Sequence, residues 1–172
     1  MTETATRPSG SSSSSSAGPG FATWRTFLQA HAAVMRLFET ELEAEGLVSL
    51  ADFDVLAQLA RAPERRLRMS ELADVIVLSR SGMTRRIDRL QAAGLVRRDE
   101  CVADRRGAFA ALTEAGLAAL DRTRPTHVRG VEQHFISRLT ADELDALRST
   151  LSKLLPGGDT TRLDGAECRG DD

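Results

Sequence analysis

The sequence predicts a mainly α-helical fold that carries one small β-hairpin. Alanine and leucine dominate its apolar residues, and aromatic residues make up only 4% of the 172 positions. Both leucine and alanine lose little conformational freedom in a helix. Several segments repeat apolar residues every three or four positions, which is typical of helices that bury one face. Two short alternating segments, 95–100 and 107–112, flank a polar stretch and predict the hairpin.

Both ends of the chain are predicted to be disordered. Residues 1–20 contain a serine run flanked by glycine and proline, and residues 156–172 are rich in glycine, aspartate and threonine. Such segments bury too little apolar surface to offset the entropy of ordering. The predicted folded unit is therefore 21–155, without an internal repeat.

Two helices are predicted in the first part of this unit. The first spans about 21–45, has one continuous apolar face, and ends at Gly46. The second begins after Ser49, which together with Asp52 resembles a capping box. It ends before Pro63, because proline disfavours a helical conformation in the residue that precedes it.

A very short strand, two helices and a turn are predicted next. Residues 65–69 could form the strand, and Ser70 is a candidate N-cap for a short helix over 71–77. A second helix is predicted from about 80 to 93 and is ended by Gly94. The predicted buried face of this second helix consists of Met83, Ile87 and Leu90.

The hairpin is followed by two more predicted helices. Thr113 is expected to cap a long helix that continues to about Leu139, with a kink at Pro125, which has no amide hydrogen to donate. Thr140 and Glu143 form a capping box that opens the last helix.

Charge is segregated along the chain although the net charge is only −2. Residues 61–110 contain twelve arginines and seven acidic residues, so this segment is +5 and the remainder is −7. A basic segment of this kind favours a nucleic-acid partner, although a solvated surface laced with ion pairs would look the same.

Several classes of protein are disfavoured by what the sequence lacks. No apolar stretch approaches the roughly 20 residues that span a bilayer, and the first residues do not resemble a signal peptide, so we expect a cytoplasmic protein without membrane contact. The sequence has no nucleophile elbow and no phosphate-binding glycine loop, which argues against an enzyme. The three histidines and two cysteines are not spaced as metal ligands, so neither a metal nor a cofactor is expected.

The order short helix, turn, second helix, strand, polar loop and strand is that of a winged helix-turn-helix. The apolar stripe of the second helix leaves polar side chains directed away from the core, and an exposed helix with arginines and small hydroxyls fits the major groove of DNA. These candidate DNA-binding residues are Arg80, Ser81, Thr84, Arg85 and Arg89. Arg86, next to the buried stripe, is expected to border the domain. An ordinary surface helix remains the alternative interpretation.

The tip of the predicted hairpin adds a second set of candidates, Asp104, Arg105 and Arg106. Arginine at the end of a thin hairpin can enter the narrow, electronegative minor groove. Phosphates would repel Asp104, so its expected role is to orient Arg106 through a bidentate pair. A turn built from aspartate and glycine with incidental arginines is the alternative.

Residues 70–116 resemble the DNA-binding core of the MarR family of bacterial regulators. The matching motifs are Asp88-Arg89-Leu90 followed by Gly94-Leu95-Val96, the pair Asp104 and Arg106, and Leu112, Thr113 and Gly116. The resemblance implies a homodimer on a near-palindromic operator, acting in most cases as a repressor, with Arg106 as the minor-groove reader, Asp104 as its orienting partner, and Arg85 and its neighbours in the major groove. It also implies release by a small, often aromatic and anionic, effector.

The remaining predictions concern the parts outside the DNA-binding lobe, which is expected over about 49–112. The apolar faces of the helices at 21–45 and 113–155 exceed what this lobe could cover, which independently favours a dimer. Trp24 and His31 on the first helix could line an effector pocket, or could simply pack in the core. A winged helix that binds proteins rather than DNA is the alternative function.

Overall fold

The computed structural model describes residues 18–76, 80–100 and 108–155, apart from the side chains of Arg80 and Glu100. Its helices are α1 (Pro19–Ala44), α2 (Leu50–Arg61), α3 (Met69–Val75), α4 (Arg80–Ala92), α5 (Glu114–His134) and α6 (Ala141–Ser152). Its strands are β1 (Arg66–Arg68), β2 (Val96–Glu100) and β3 (Ala108–Leu112), and short 3₁₀ turns occupy Pro63–Arg65 and Ile136–Arg138. The predicted fold class, helices with a small β-hairpin, is confirmed.

Contacts within the chain divide it into two compact units, at Ala33 and Val34. The described part of the first unit is the N-terminal half of α1. Its large apolar side chains are exposed, namely Phe21, Trp24, Phe27 and Leu28. The second unit contains the rest of α1 and every other described element.

The three strands form one antiparallel sheet in the order β1-β3-β2. Val96 lies opposite Leu112, and both side chains are buried on the face that covers the core. On the other face the guanidinium groups of Arg66 and Arg68 lie 5.4 and 5.1 Å from the centre of the Phe109 ring. The sequence predicted each strand, but not that β1 pairs with β3 rather than with β2.

The core of the second unit lies between the sheet and helices α2 to α5. The predicted buried stripe of α4 is confirmed, since Met83 and Ile87 have no exposed surface and Leu90 is 3% exposed. The same cluster includes Leu56 and Leu59 from α2. Helices α2 and α4 therefore share one apolar centre, and α4 is fixed to it along its whole length.

Several helix ends lie where the sequence predicted them. Gly94 has a left-handed φ of +72°, and the Leu95 amide donates to the carbonyl of Leu90 at 2.9 Å, which ends α4 in the expected way. Thr140 and Glu143 form the expected capping box, in which the Thr140 amide donates to the Glu143 carboxylate at 2.9 Å. This carboxylate has a lowered pKa because it accepts hydrogen bonds from Thr140.

Two helix ends differ from the prediction. Ser70 is not the N-cap of α3, because the helix begins two residues before the predicted start, at Met69, with Arg68 as its N-cap. The backbone of Arg68 is still extended there, and its amide donates to the Glu71 carboxylate at 3.0 Å. In addition, α5 ends at His134 rather than near Leu139, and it runs without a break through Pro125. The helix is thus not interrupted at Pro125, and the predicted kink, which would be a bend in a continuous helix, stays a prediction.

Helix α5 packs against the C-terminal half of α1 through small and polar residues. His134 forms a 2.6 Å contact with the Glu41 carboxylate, and a β-carbon on Gly130 would lie 3.2 Å from the ring of Phe38. Glu45 accepts a 2.6 Å hydrogen bond from the Thr126 hydroxyl, which lowers the pKa of Glu45. The described contacts between these two helices are therefore made through side chains.

One histidine lies where α1, α2 and α5 meet. The His127 ring stacks on Phe53 at 4.4 Å and lies edge-on to Phe38 at 5.9 Å. Burial disfavours the charged imidazolium and therefore lowers the pKa of His127.

The first prediction concerns the N-terminus of α5. The Thr113 hydroxyl caps the helix by accepting from the Gly116 amide at 3.0 Å and donates to the carbonyl of Gly94 at 2.8 Å. A β-carbon on Gly116 would lie 2.0 Å from the backbone oxygen of Leu95, which cannot move aside without breaking this turn. We expect Gly116→Ala to lower the free energy of unfolding by about 1–3 kcal/mol in urea titrations. Gly20→Ala, where a β-carbon meets nothing within 4 Å, is the control and should be close to neutral.

The second prediction concerns pH. Because the folded pKa of His127 lies below its unfolded value of about 6.5, the unfolded chain binds the proton more readily. The contribution of His127 to the free energy of unfolding is therefore fully present above the unfolded pKa. It is lost as the pH falls from the unfolded pKa through the folded pKa. We expect His127→Phe to lose less stability than the wild-type chain when urea titrations are repeated from about pH 7.5 down to about pH 5.5. An identical pH dependence in both proteins would contradict the prediction.

Candidate nucleic-acid interface

Helix α4 presents a polar surface because its opposite face is buried. With Met83, Ile87 and Leu90 in the core, a helical period of 3.6 residues directs Ser81, Arg85 and Arg89 outward. Thr84, on the flank, is also exposed. The exposure expected for these four candidate residues is therefore found, whereas a DNA-binding role for them stays a prediction. Arg80 begins α4, and its side chain lies outside the described residues.

The flank of α4 that faces α2 is held by an ion pair. Arg86 Nη1 donates to Asp52 Oδ1 at 2.8 Å, and the two side chains are only 18% and 22% exposed. Burial raises the pKa of the neighbouring Asp54 carboxyl, partly offset by the positive charges of Arg86 and Arg61. Arg86 thus connects α4 to α2, in agreement with the sequence prediction that it borders the domain.

The opposite flank of α4 is held by the hairpin. Arg98 Nη2 of β2 lies 2.7 Å from Asp88 Oδ1 and donates a longer hydrogen bond, 3.5 Å, to the carbonyl oxygen of Thr84. Nothing in the spacing of the sequence predicted the pairing of Arg98 with Asp88. A signal for the position of Arg98 was present, because strand alternation puts Arg98 on the same face as the buried Val96, which is the face next to α4.

Arg85 and Arg89, on the outward face of α4, have different partners from Arg86 and Arg98 on its flanks. Arg85 Nε donates weakly to the carbonyl of Ser81 at 3.4 Å, one turn earlier. Within the described part of the chain, neither Arg85 nor Arg89 forms an ion pair with a carboxylate. Together with Gly82, Arg86 and Asp88 they line a shallow surface depression. The charge of both guanidinium groups is therefore available to an anionic partner.

The tip of the hairpin lies outside the described residues, which resume at Ala108. This gap contains Asp104, Arg105 and Arg106, so their pairing and their minor-groove role stay predictions. The last described pair of the ladder, Glu100 opposite Ala108, shows where the two strands enter the tip.

The candidate effector residues lie on α1. Trp24 is 55% exposed and stacks on Phe27 at 5.9 Å, and the Phe27 ring lies 6.4 Å from the exposed His31. The choice between an effector contact and packing in the core stays open for these two residues. A separate groove of about 400 Å³ lies between α1 and α2. Its lining consists of Met35, Arg36, Glu39, Leu50, Ala51 and Asp54.

The described ranges contain no group of three or more histidine, cysteine, aspartate or glutamate side chains that could hold a metal ion. In the same ranges, no helix combines the length and apolar character needed to cross a membrane.

The Arg86–Asp52 pair generates a third prediction. Arg86→Met would leave a mostly buried carboxylate without its partner, and we expect the free energy of unfolding to fall by about 2–4 kcal/mol in urea titrations. Arg148→Met is the matched control, because Arg148 also pairs with an aspartate, Asp145 at 3.0 Å, but both of those side chains are about three-quarters exposed. The control should change stability by less than about 0.5 kcal/mol. Equal effects of the two substitutions would show that the Arg86 pair does not anchor α4.

Comparison with known proteins agrees with this geometry. A sequence profile of the MarR family matches residues 48–107. The chain is 33% identical over 109 residues to PecS, an HTH-type transcriptional regulator of Dickeya dadantii, in a match that covers 62% of this chain and 64% of PecS, slightly less than two thirds of its length. It is 31% identical over 109 residues to the multiple antibiotic resistance protein MarR of Escherichia coli, covering 63% of this chain and 74% of that protein.

A solved structure matches over a longer part of the chain. It is the MarR family transcriptional regulator Sco3205 of Streptomyces coelicolor in complex with DNA, with a TM-score of 0.73 and 33% identity. The superposition covers 83% of this chain and 96% of Sco3205, so it extends well beyond residues 48–107, which the family profile matches. The chain therefore belongs to the MarR family, whose members are transcriptional regulators and not enzymes.

Proposed function

We propose that this chain regulates transcription by binding double-stranded DNA as a homodimer, with α4 in the major groove and the hairpin tip in the adjacent minor groove. The observation that carries the proposal is the outward pair Arg85 and Arg89, opposite the buried stripe of α4 and without carboxylate partners among the described residues. The related regulator Sco3205 was crystallised with DNA, which supports the same class of partner here.

The spacing of the two arginines suits base reading. Residues four apart on a helix are separated by about 6 Å along its axis, and base pairs by about 3.4 Å, so Arg85 and Arg89 reach positions about two base pairs apart. Arginine can donate two hydrogen bonds to guanine, which gives discrimination as well as attraction. Ser81 and Thr84 beside them are suited to phosphate or base contacts.

A second copy of the chain accounts for the apolar surface outside the lobe. Large apolar side chains are exposed on the first half of α1 and towards the C-terminus. These residues are Phe21, Trp24, Phe27, Leu28, Val128, Phe135, Ile136 and Leu154. Clusters of exposed apolar side chains mark interaction surfaces. A two-fold dimer would cover them and would present two copies of α4 to a near-palindromic operator.

The proposal also covers how the protein is regulated. We place the protein in the cytoplasm, where it acts as a repressor that a small aromatic or anionic effector relieves. Trp24 and His31 remain candidate contacts for such an effector, since their rings are exposed on α1. No described feature favours the alternative of a winged helix that binds proteins alone.

The fourth prediction tests this function directly. We expect Arg85→Ala and Arg106→Ala each to weaken operator binding by about 1–3 kcal/mol, the first through lost base contacts and the second through lost minor-groove contacts. Fluorescence anisotropy would compare the DNA upstream of the protein's own gene with a scrambled duplex, at low and near-physiological salt. Arg148→Ala removes one arginine from α6 and serves as the control.

The outcomes separate the candidate functions. Preference for the upstream DNA that persists at the higher salt supports a sequence-reading regulator, and sedimentation should give a dimer for the wild-type chain and each variant. Equal, salt-sensitive binding to both duplexes would indicate phosphate attraction alone. Failure to bind any duplex would favour the protein-interaction alternative, and unchanged affinity of the Arg106 variant would contradict the assignment of the hairpin tip.

A further inference from the structure

The ion pair between Arg98 and Asp88 joins the two elements that are proposed to enter DNA. Arg98 belongs to the stem of the hairpin, opposite the buried Ala110, and Asp88 belongs to α4. Their 2.7 Å contact lies on a part-exposed surface, with the Arg98 side chain 34% exposed and the Asp88 side chain 52% exposed. Arg98 also reaches the backbone carbonyl of Thr84, one helical turn before Asp88. One guanidinium therefore spans a full turn of α4.

The apolar contacts below this pair constrain the angle between the hairpin and α4 less sharply than a directional bond does. Burial of Val96 and Ile87 is non-directional, so it holds the two elements together but tolerates small rotations. A charge-assisted hydrogen bond has a short optimal distance and a preferred direction. The Arg98–Asp88 pair therefore adds the directional constraint on this flank, as Arg86–Asp52 does on the other.

We propose that Arg98 is a positioning residue for DNA recognition, which acts through Asp88 to set the hairpin at one angle to α4. The inference depends on the proposed function. A helix in the major groove and a hairpin in the adjacent minor groove can both reach their contacts only at one relative placement, and a misplacement of about 1 Å is enough to lose them. The pair thus determines discrimination between sequences rather than general attraction to DNA.

A direct phosphate contact by Arg98 is the competing explanation, and it makes the opposite prediction for Asp88→Asn. If Arg98 bound phosphate, removing its negative partner would free the guanidinium and remove a repulsive charge, so all DNA would bind more tightly. If Arg98 acts by positioning, Asp88→Asn lowers the preference for the operator although the protein has become more positive.

The neighbouring pair in β2 supplies matched controls. Arg97 donates to both carboxylate oxygens of Asp99 at 2.9 and 3.1 Å, within the same strand. Alternation puts this pair on the sheet face away from α4. Arg97→Gln removes the same charge as Arg98→Gln, and Asp99→Asn the same charge as Asp88→Asn, without touching the connection to α4.

The experiment measures the ratio of affinities for the operator and a scrambled duplex in Asp88→Asn, Arg98→Gln and the double variant. We expect each single variant to lower this ratio about tenfold and the double variant to lower it no further, because all three lose the same pair. The two controls should stay within about threefold of the wild-type ratio. Multiplicative losses in the double variant, or an unchanged ratio in Asp88→Asn with tighter binding of both duplexes, would overturn the proposal.

Hydrogen exchange provides a readout that needs no DNA. Amides of β2 and β3 should exchange faster in Asp88→Asn than in Asp99→Asn, while those of α5 stay unchanged. Equal exchange in the two variants would overturn the positioning role even if DNA binding changed. A wild-type chain that fails to discriminate the duplexes would reject the proposed function and this inference together, whereas a discriminating wild type with an unaffected Asp88→Asn variant would reject the inference alone.

Discussion

The burial of one stripe of α4 is the interaction on which the rest of the proposed DNA-binding surface depends. Met83, Ile87 and Leu90 together contribute about 5–9 kcal/mol of apolar burial, which is comparable with the whole net stability of a typical domain. The stripe also fixes the rotation of the helix about its own axis. Once these side chains are in the core, Arg85 and Arg89 have no direction available except outward.

Polar contacts then fix how α4 and its neighbouring elements are oriented, which apolar burial alone does not specify. Four connections surround the same lobe: Arg86 with Asp52 at α2, Arg98 with Asp88 at β2, the Thr113 hydroxyl with Gly94, and the close approach of Gly116 to Leu95. Each of these contacts connects α4, or the turn that follows it, to a neighbouring element. The motifs through which the sequence resembles MarR regulators include Asp88, Gly94, Thr113 and Gly116, and here they have a local physical reason. They hold the helix, the turn after it and the start of α5 in register.

Much of this arrangement could be predicted from local sequence, and two of the exceptions depend on residues far apart in the chain. Helix spacing, capping residues and glycine stops depend on residues within one turn of each other, so the α4 stripe, Gly94 and the Thr140 box were predicted correctly. The Arg98–Asp88 pair and the pairing of β1 with β3 depend on residues far apart in the chain, which spacing rules do not address. The Ser70 cap failed because Glu71 satisfies the amide of Arg68 and starts the helix earlier.

The distribution of ion pairs explains how a chain with a net charge of −2 can present a basic surface of the kind proposed to bind DNA. At physiological ionic strength charges act over about 8 Å, so a phosphate responds to the groups near it and not to the sum over the chain. On α4 and β2 the flanking arginines, Arg86 and Arg98, are already neutralised by aspartates, whereas Arg85 and Arg89 are not. The effective charge is thereby concentrated on the outward face of one helix. Binding should then depend strongly on a few well-placed guanidinium groups, which favours discrimination between sequences over general adhesion to DNA.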